Sequence, residues 1–169
     1  QSVSGEKMAI ALAREGGIGV KQFFGMSQSG NLDEALRGLS SPQFIMLFTN
    51  DGQFEAHVEA LEKRFPGVPS IGCVGMSYQT GMVERGVGVI AFSGGVRAAA
   101  NVLEQVSTMP VKYIKRLEQD LRQVGGTGED TVCIDLCTGN DACVLTTINT
   151  ALRRQGVSLV GGTGDQGKV

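Results

Sequence analysis

The sequence predicts an α/β protein with an α+β tendency, built on a mixed β-sheet with covering helices. Three observations carry that prediction. An apolar run at residues 44–48, a helix-spaced stripe at 54–65 and an apolar run at 68–73 make one strand–helix–strand unit. Residues 131–137, 141–155 and 157–160 make a second such unit near the end of the chain. Between them, residues 87–92 and 96–103 are extended segments joined by the short link Ser93-Gly94-Gly95, which predicts an antiparallel hairpin block flanked by the two βαβ units.

Taken in order, residues 6–15 are expected to form a short helix with Ala9, Leu12 and Ala13 inward, closed by Gly16-Gly17. Residues 20–25 suit a short strand. Asn31 stands three residues before Glu34 in a capping arrangement, and Leu32, Ala35, Leu36 and Leu39 supply a buried stripe for a helix of about two turns. Residues 44–48 lie between Ser40-Ser41-Pro42 and Asn50-Asp51-Gly52, so a strand buried on both faces is the natural reading. Phe54, Val58, Leu61 and Phe65 then recur at helical spacing until Pro66-Gly67 stops the helix, and the crossover to 68–73 is expected to be right-handed.

The middle of the chain reads as consecutive extended segments at 81–83, 87–92 and 96–103. After Pro110, Ile114, Leu117, Leu121 and Val124 mark an amphipathic helix at 112–124. Lys115, Arg116, Glu118, Asp120 and Arg122 are assigned to its solvated face. Residues 125–130 form a linking loop, residues 131–137 a strand, and Gly139-Asn140-Asp141 opens a helix carrying Leu145, Ile148, Ala151 and Leu152. Gly156 closes that helix. The last strand is expected to empty into a loop, Gly161-Gly162-Thr163-Gly164-Asp165.

Composition narrows the function. A chain of 169 residues reads as one domain over 1–169, and 41% hydrophobic with 19% charged residues and a formal charge of -2 gives no electrostatic drive toward nucleic acid or a membrane surface. The 25 glycines are about twice what an average usage of roughly 7% supplies, which implies many tight turns and close backbone approaches. There is no apolar run of about 18 residues and no leader-like N-terminus, so the chain reads as cytoplasmic. Gln1 stands where a start methionine would, so position 1 is given no biological meaning. Four cysteines within apolar runs read as reduced thiols.

Several features fall in an order that resembles the FIST sensory domain of bacterial signalling proteins. They are the strand at 44–48, Phe65-Pro66-Gly67, Ile71-Gly72-Cys73, the strand at 87–92, and Leu159-Val160-Gly161-Gly162-Thr163-Gly164-Asp165. The match is with the N-terminal part of that module. The resemblance implies a small-ligand sensory input domain for signal transduction, often suggested to sense amino acids or related metabolites. Its partners would be chemoreceptor, kinase or cyclic-nucleotide output modules, or the domain's own C-terminal half, and a homo-oligomer is possible. The family pattern has no agreed catalytic residues. It usually continues past the glycine-rich strand, whereas this chain stops at Val169, so a pocket shared with a C-terminal half would be incomplete.

Independently of family, ligands in open α/β sheets bind beyond the carboxyl ends of strands, where glycine loops expose backbone N–H groups. Gly72, Gly75, Gly139, Gly161, Gly162 and Gly164 all follow expected strands. Asp165 would receive an ammonium group, and Asn140 or the helix N-terminus beside it a carboxylate, with Cys73 and Thr163 in the same loops. For each glycine alone, a tight turn is the simpler reading. The spacing of Gly161 to Lys168 completes no nucleotide-binding pattern.

Cys73 has no histidine near it in sequence and reads first as a small buried hydrophobe, with a nucleophile as the alternative. Cys133 and Cys137 on an extended strand are about 13 Å apart, too far for one zinc ion or a disulfide. Asp135 between them must face water, a partner or a ligand. His57, the one histidine, lies beside Val58 on the edge of its helix stripe and reads as packed. No cofactor is expected. The alternative is noncovalent haem ligated by His57, since some FIST-like proteins are regarded as haem-based gas sensors and no CxxCH attachment motif occurs. An enzyme using Cys73 and a protein-interaction scaffold are the remaining alternatives.

Overall fold

The computed structural model describes residues 7–14, 19–75, 85–104, 110–138, 142–164 and 168–169. In chain order the elements are β1 (Lys7–Arg14), β2 (Lys21–Ser27), α1 (Leu32–Ala35), β3 (Phe44–Thr49), α2 (Phe54–Arg64) and β4 (Ser70–Val74). They continue as β5 (Val87–Ser93), β6 (Arg97–Glu104), α3 (Pro110–Val124), β7 (Thr131–Thr138), α4 (Ala142–Arg154) and β8 (Ser158–Thr163). The expected extended segment at 81–83 lies outside the described residues.

The predicted class holds, with one change of plan: the strands form two mixed sheets instead of one. Their orders are β6-β1-β7-β8 and β2-β5-β3-β4. Both expected strand–helix–strand units are present. The parallel pair β3–β4 brackets α2, and the parallel pair β7–β8 brackets α4. All other pairings are antiparallel.

Three apolar layers show how the sheets stack. Met8, Ile10 and Leu12 of β1 pack with Cys133 and Cys137 of β7 under Leu117 and Leu121 of α3 and Ile148 and Leu152 of α4. Ile45 and Leu47 of β3 and Val87, Val89 and Ala91 of β5 pack under α1 and Leu61 of α2. Between these layers the two sheets meet, with Ala9, Ala11 and Leu136 on one side and Phe44, Ile71 and Cys73 on the other. Helices, sheet, sheet, helices is therefore the order of layers, and Phe44 and Phe92 stack at 6.1 Å within the middle one.

The first element departs from expectation: residues 7–14 form a strand at the centre of its sheet, paired with both β6 and β7, and not a helix. Alternation exists there, but it is an alternation of size. Met8, Ile10 and Leu12 meet the helices and Ala9 and Ala11 meet the other sheet, so a reading of polarity finds no period of two. Good helix formers in a strand buried from Met8 to Leu12 show tertiary pairing overriding local propensity.

The hairpin expected between β5 and β6 is absent as well. β5 pairs with β2 and β3, β6 pairs with β1, and Ser93-Gly94-Gly95 carries the chain from one sheet to the other. Gly94 and Gly95 have φ of 86° and 98°, and Gln43 Oε1 accepts the N–H groups of Gly95 and Val96 at 2.8 and 2.9 Å, which fixes the crossing.

Helix α1 is a single turn where about two turns were expected. Asn31 Oδ1 accepts the Glu34 N–H at 3.2 Å, as a cap should. Glu34 does not return the bond. Its Oε2 instead accepts from Ser27 Oγ at 2.9 Å, and Ser27 Oγ accepts the Asn31 N–H at 3.0 Å, so β2 takes over half of the capping box.

Candidate functional site

The carboxyl ends of β4, β7 and β8 converge. The Gly164 N–H donates to the Cys137 carbonyl at 2.7 Å, joining the end of β8 to that of β7. A Cβ on Gly164 would lie 2.9 Å from Cys73 Cβ, so β4 reaches the same point from the other sheet. The Val74 N–H donates to the Lys168 carbonyl at 3.2 Å, and Lys168 Nζ pairs with Glu55 at the start of α2 at 2.9 Å. Described parts of two of the three expected loops, at Gly72 to Gly75 and Gly161 to Gly164, therefore meet at one edge beside the end of β7. Gly139, Asn140 and Asp165 lie outside the described residues.

Within this edge the glycines have different jobs. Gly72 lies inside β4 opposite Leu47, and a Cβ there would sit 2.7 Å from the Leu47 carbonyl, so close sheet packing accounts for it. Gly75 follows β4 and has only Cys73 Sγ near its missing side chain. Gly161, Gly162 and Thr163 were expected in a loop but extend β8, paired with Asp135, Leu136 and Cys137 of β7. Pairing wins because the parallel neighbour satisfies those of their backbone groups that face β7, which glycine's lack of strand propensity does not prevent.

Gly161 also explains Asp135. That aspartate is 4% exposed and shares the α3 and α4 side of β7 with Cys133 and Cys137, where contact with water, a partner or a ligand was expected. A Cβ on Gly161 would collide with the Asp135 carbonyl oxygen and with Oδ1, so the glycine makes room for a buried carboxylate. Cys73 is 4% exposed, and burial, followed by the neighbouring Cys137, pushes its thiol up to about 11. Burial therefore disfavours the thiolate that a nucleophile would need.

His57 is buried inside a polar network. Its Nε2 donates to Asp51 Oδ2 at 2.7 Å, while Asp51 Oδ1 accepts from Thr49 Oγ1 at 2.7 Å and from the Gln53 N–H at 2.9 Å. Burial raises the Asp51 pKa, but the bonds from His57, Thr49 and Gln53 outweigh it and hold the carboxyl below its ordinary value. The Nε2 that an axial bond to haem iron would use is thus engaged by Asp51.

Residues 43–169 match the FIST N domain family. The chain belongs to that family. No curated protein and no solved structure matches it. FIST domains are sensory domains of signal transduction and not an enzyme family. The match begins at Gln43, so β1, β2 and α1 of this FIST domain precede it, although β1 is central to its sheet. No helix among the described residues of the FIST domain is long and apolar enough to cross a membrane.

One group of the FIST domain went unnoticed in the sequence. Asp120, assigned to a solvated helix face, is 8% exposed and accepts a hydrogen bond from Asn101 Nδ2 of β6. Arg116 donates to Asn101 Oδ1 through Nε at 3.0 Å and a terminal nitrogen at 2.7 Å. Burial raises the Asp120 pKa, against lowering by Arg116 and Asn101. A signal existed, because Asp120 falls three residues after Leu117 and four before Val124, on the helix's apolar stripe.

Proposed function

We propose that this chain is a ligand-binding input domain that senses a small zwitterionic metabolite, such as an amino acid, and passes occupancy to a signalling output partner. The observation that carries this reading is the meeting of β4, β7 and β8 at Gly164, since strand ends gathered at one edge are where α/β sheets hold ligands. Membership of a sensory family supports the role. In this reading backbone N–H groups on the outer side of β8 around Gly162 take the carboxylate, and Asp165 takes the ammonium.

Calorimetry of the chain with a panel of free amino acids tests it. Gly162 has open space where a side chain would be, so Gly162→Val folds normally and reports on ligand access alone. A binding amino acid is expected to lose about ten- to a hundredfold in affinity on Asp165→Asn, the equivalent of about 1.5–3 kcal/mol for a charge-assisted bond. Affinity untouched by both changes would put the site elsewhere.

A further inference from the structure

Asp120 combines burial with incomplete satisfaction. Its Oδ2 accepts from Asn101, and no donor among the described residues reaches Oδ1. The guanidinium nearest to it is committed elsewhere: Arg116 holds the oxygen of Asn101, which turns the amide nitrogen of Asn101 toward Asp120, and Arg116 forms no ion pair with Asp120 itself. A buried carboxylate oxygen without a donor is costly unless something supplies one.

What lies in front of it is a cleft of about 800 Å³, within the range of small-molecule sites. β6 and α3 form one wall, and the end of α2 with the turn at 65–70 forms the other. β6 is an edge strand, so alternate residues along 98–101 turn backbone N–H and C=O groups outward at this wall. Alanines at 98, 99 and 100 keep the wall low. Gln119 and Gln123 add amides, and Glu62 on the facing wall adds a second carboxylate.

We propose that this cleft binds a small aliphatic amine, with its ammonium group on Asp120 Oδ1 and its remaining N–H donors shared between Glu62 and carbonyl groups on the β6 edge. An ammonium brings three donors and no acceptor, which is what a half-satisfied carboxylate beside an open strand edge lacks. The acidic residues of the lining outnumber its one cation, Arg116, which is already engaged. This site is distinct from the strand-end edge: Ser70, at the start of β4, lines the cleft, and Gly75 follows the far end of that strand.

The test is calorimetric titration of the whole chain with 1,4-diaminobutane, against 1,4-butanediol as a neutral analogue at matched ionic strength. Saturable binding of the diamine and none of the diol is expected. Asp120→Asn should weaken the diamine by about tenfold or more, and Glu62→Gln, an exposed change with no bearing on folding, by several-fold. Gly162→Val should leave it unchanged, and the Asn101 side-chain amide resonances should move on titration. Equal response to diamine and diol, affinity unchanged by Glu62→Gln and by a folded Asp120→Asn, or loss on Gly162→Val would each overturn the proposal.

Discussion

Two buried aspartates in this chain illustrate opposite electrostatic situations. Asp51 is surrounded by donors, and its lowered pKa means that its contribution to stability is present above the ordinary aspartate value and is lost as pH falls through the folded value. Asp120 has the reverse sign. Its raised pKa means that ionisation is harder in the folded chain, so the charged form opposes folding as pH rises through that value. Asp120→Asn keeps the shape and an acceptor for Asn101 while removing the charge. The variant is expected to be more stable than the parent at neutral pH by on the order of 1 kcal/mol, about 2–4 °C in Tm for a chain of this size. The gain should shrink on acidification, as the parent carboxyl takes up its proton. Thermal melts at neutral and acid pH check this, and a variant less stable at neutral pH would contradict it. Stability gained by removing a charge at the cost of binding is the pattern of a functional group.

Among the elements, β8 shows most directly how a residue type serves its strand. Gly161 faces Asp135 and Gly162 faces open space, although the two are adjacent and both pair with β7. Gly161→Ala is therefore expected to destabilise by about 1–3 kcal/mol through overpacking, whereas Gly162→Ala should stay close to the parent. Urea titrations of the two variants distinguish them, and equal midpoints would refute the assigned packing. The parallel units were legible because strand length, helix spacing and turn residues agree at 44–73 and 131–160. Strand β1 was not, because both of its faces are apolar from Met8 to Ala13 and its polar residues, Lys7 and Arg14, stand only at the ends, where they mark no period of two. β6 was legible as a strand but its pairing was not, because its partner β1 lies at the other end of the sequence.

At the scale of the whole molecule, the two sheets approach through residues of unequal size. Ala9, Ala11, Ala13, Ala98 and Ala100 on one sheet receive Phe44, Met46, Phe48, Ile71 and Phe92 from the other. Small against large lets the layers interdigitate at interior density. Ala11 is 1% exposed at the centre of this layer, so Ala11→Leu is expected to wedge the sheets and cost about 1–3 kcal/mol or more. Chemical denaturation followed by far-UV circular dichroism measures it, and an unchanged midpoint would show a layer with slack. β1 is held by β6 on one side and β7 on the other, so the chain's first strand closes a sheet whose remaining strands come from beyond residue 96.

Sequence by itself determined the class, the two strand–helix–strand units, the cap at Asn31 and the membership of a sensory family, since each rests on local chemistry or ordered motifs. It also pointed to the strand ends that meet at Gly164. Tertiary structure alone decided the rest. Two sheets in place of one, the crossing at Ser93-Gly94-Gly95 and the strand at 7–14 depend on which distant backbone offers hydrogen bonds, and local propensity does not encode that choice. The cleft at Asp120 depends on it too. Asn101 and Asp120 meet only because an edge strand lies beneath a helix, and the burial of that carboxylate is a property of the neighbours that surround it and not of the residues beside it in the chain.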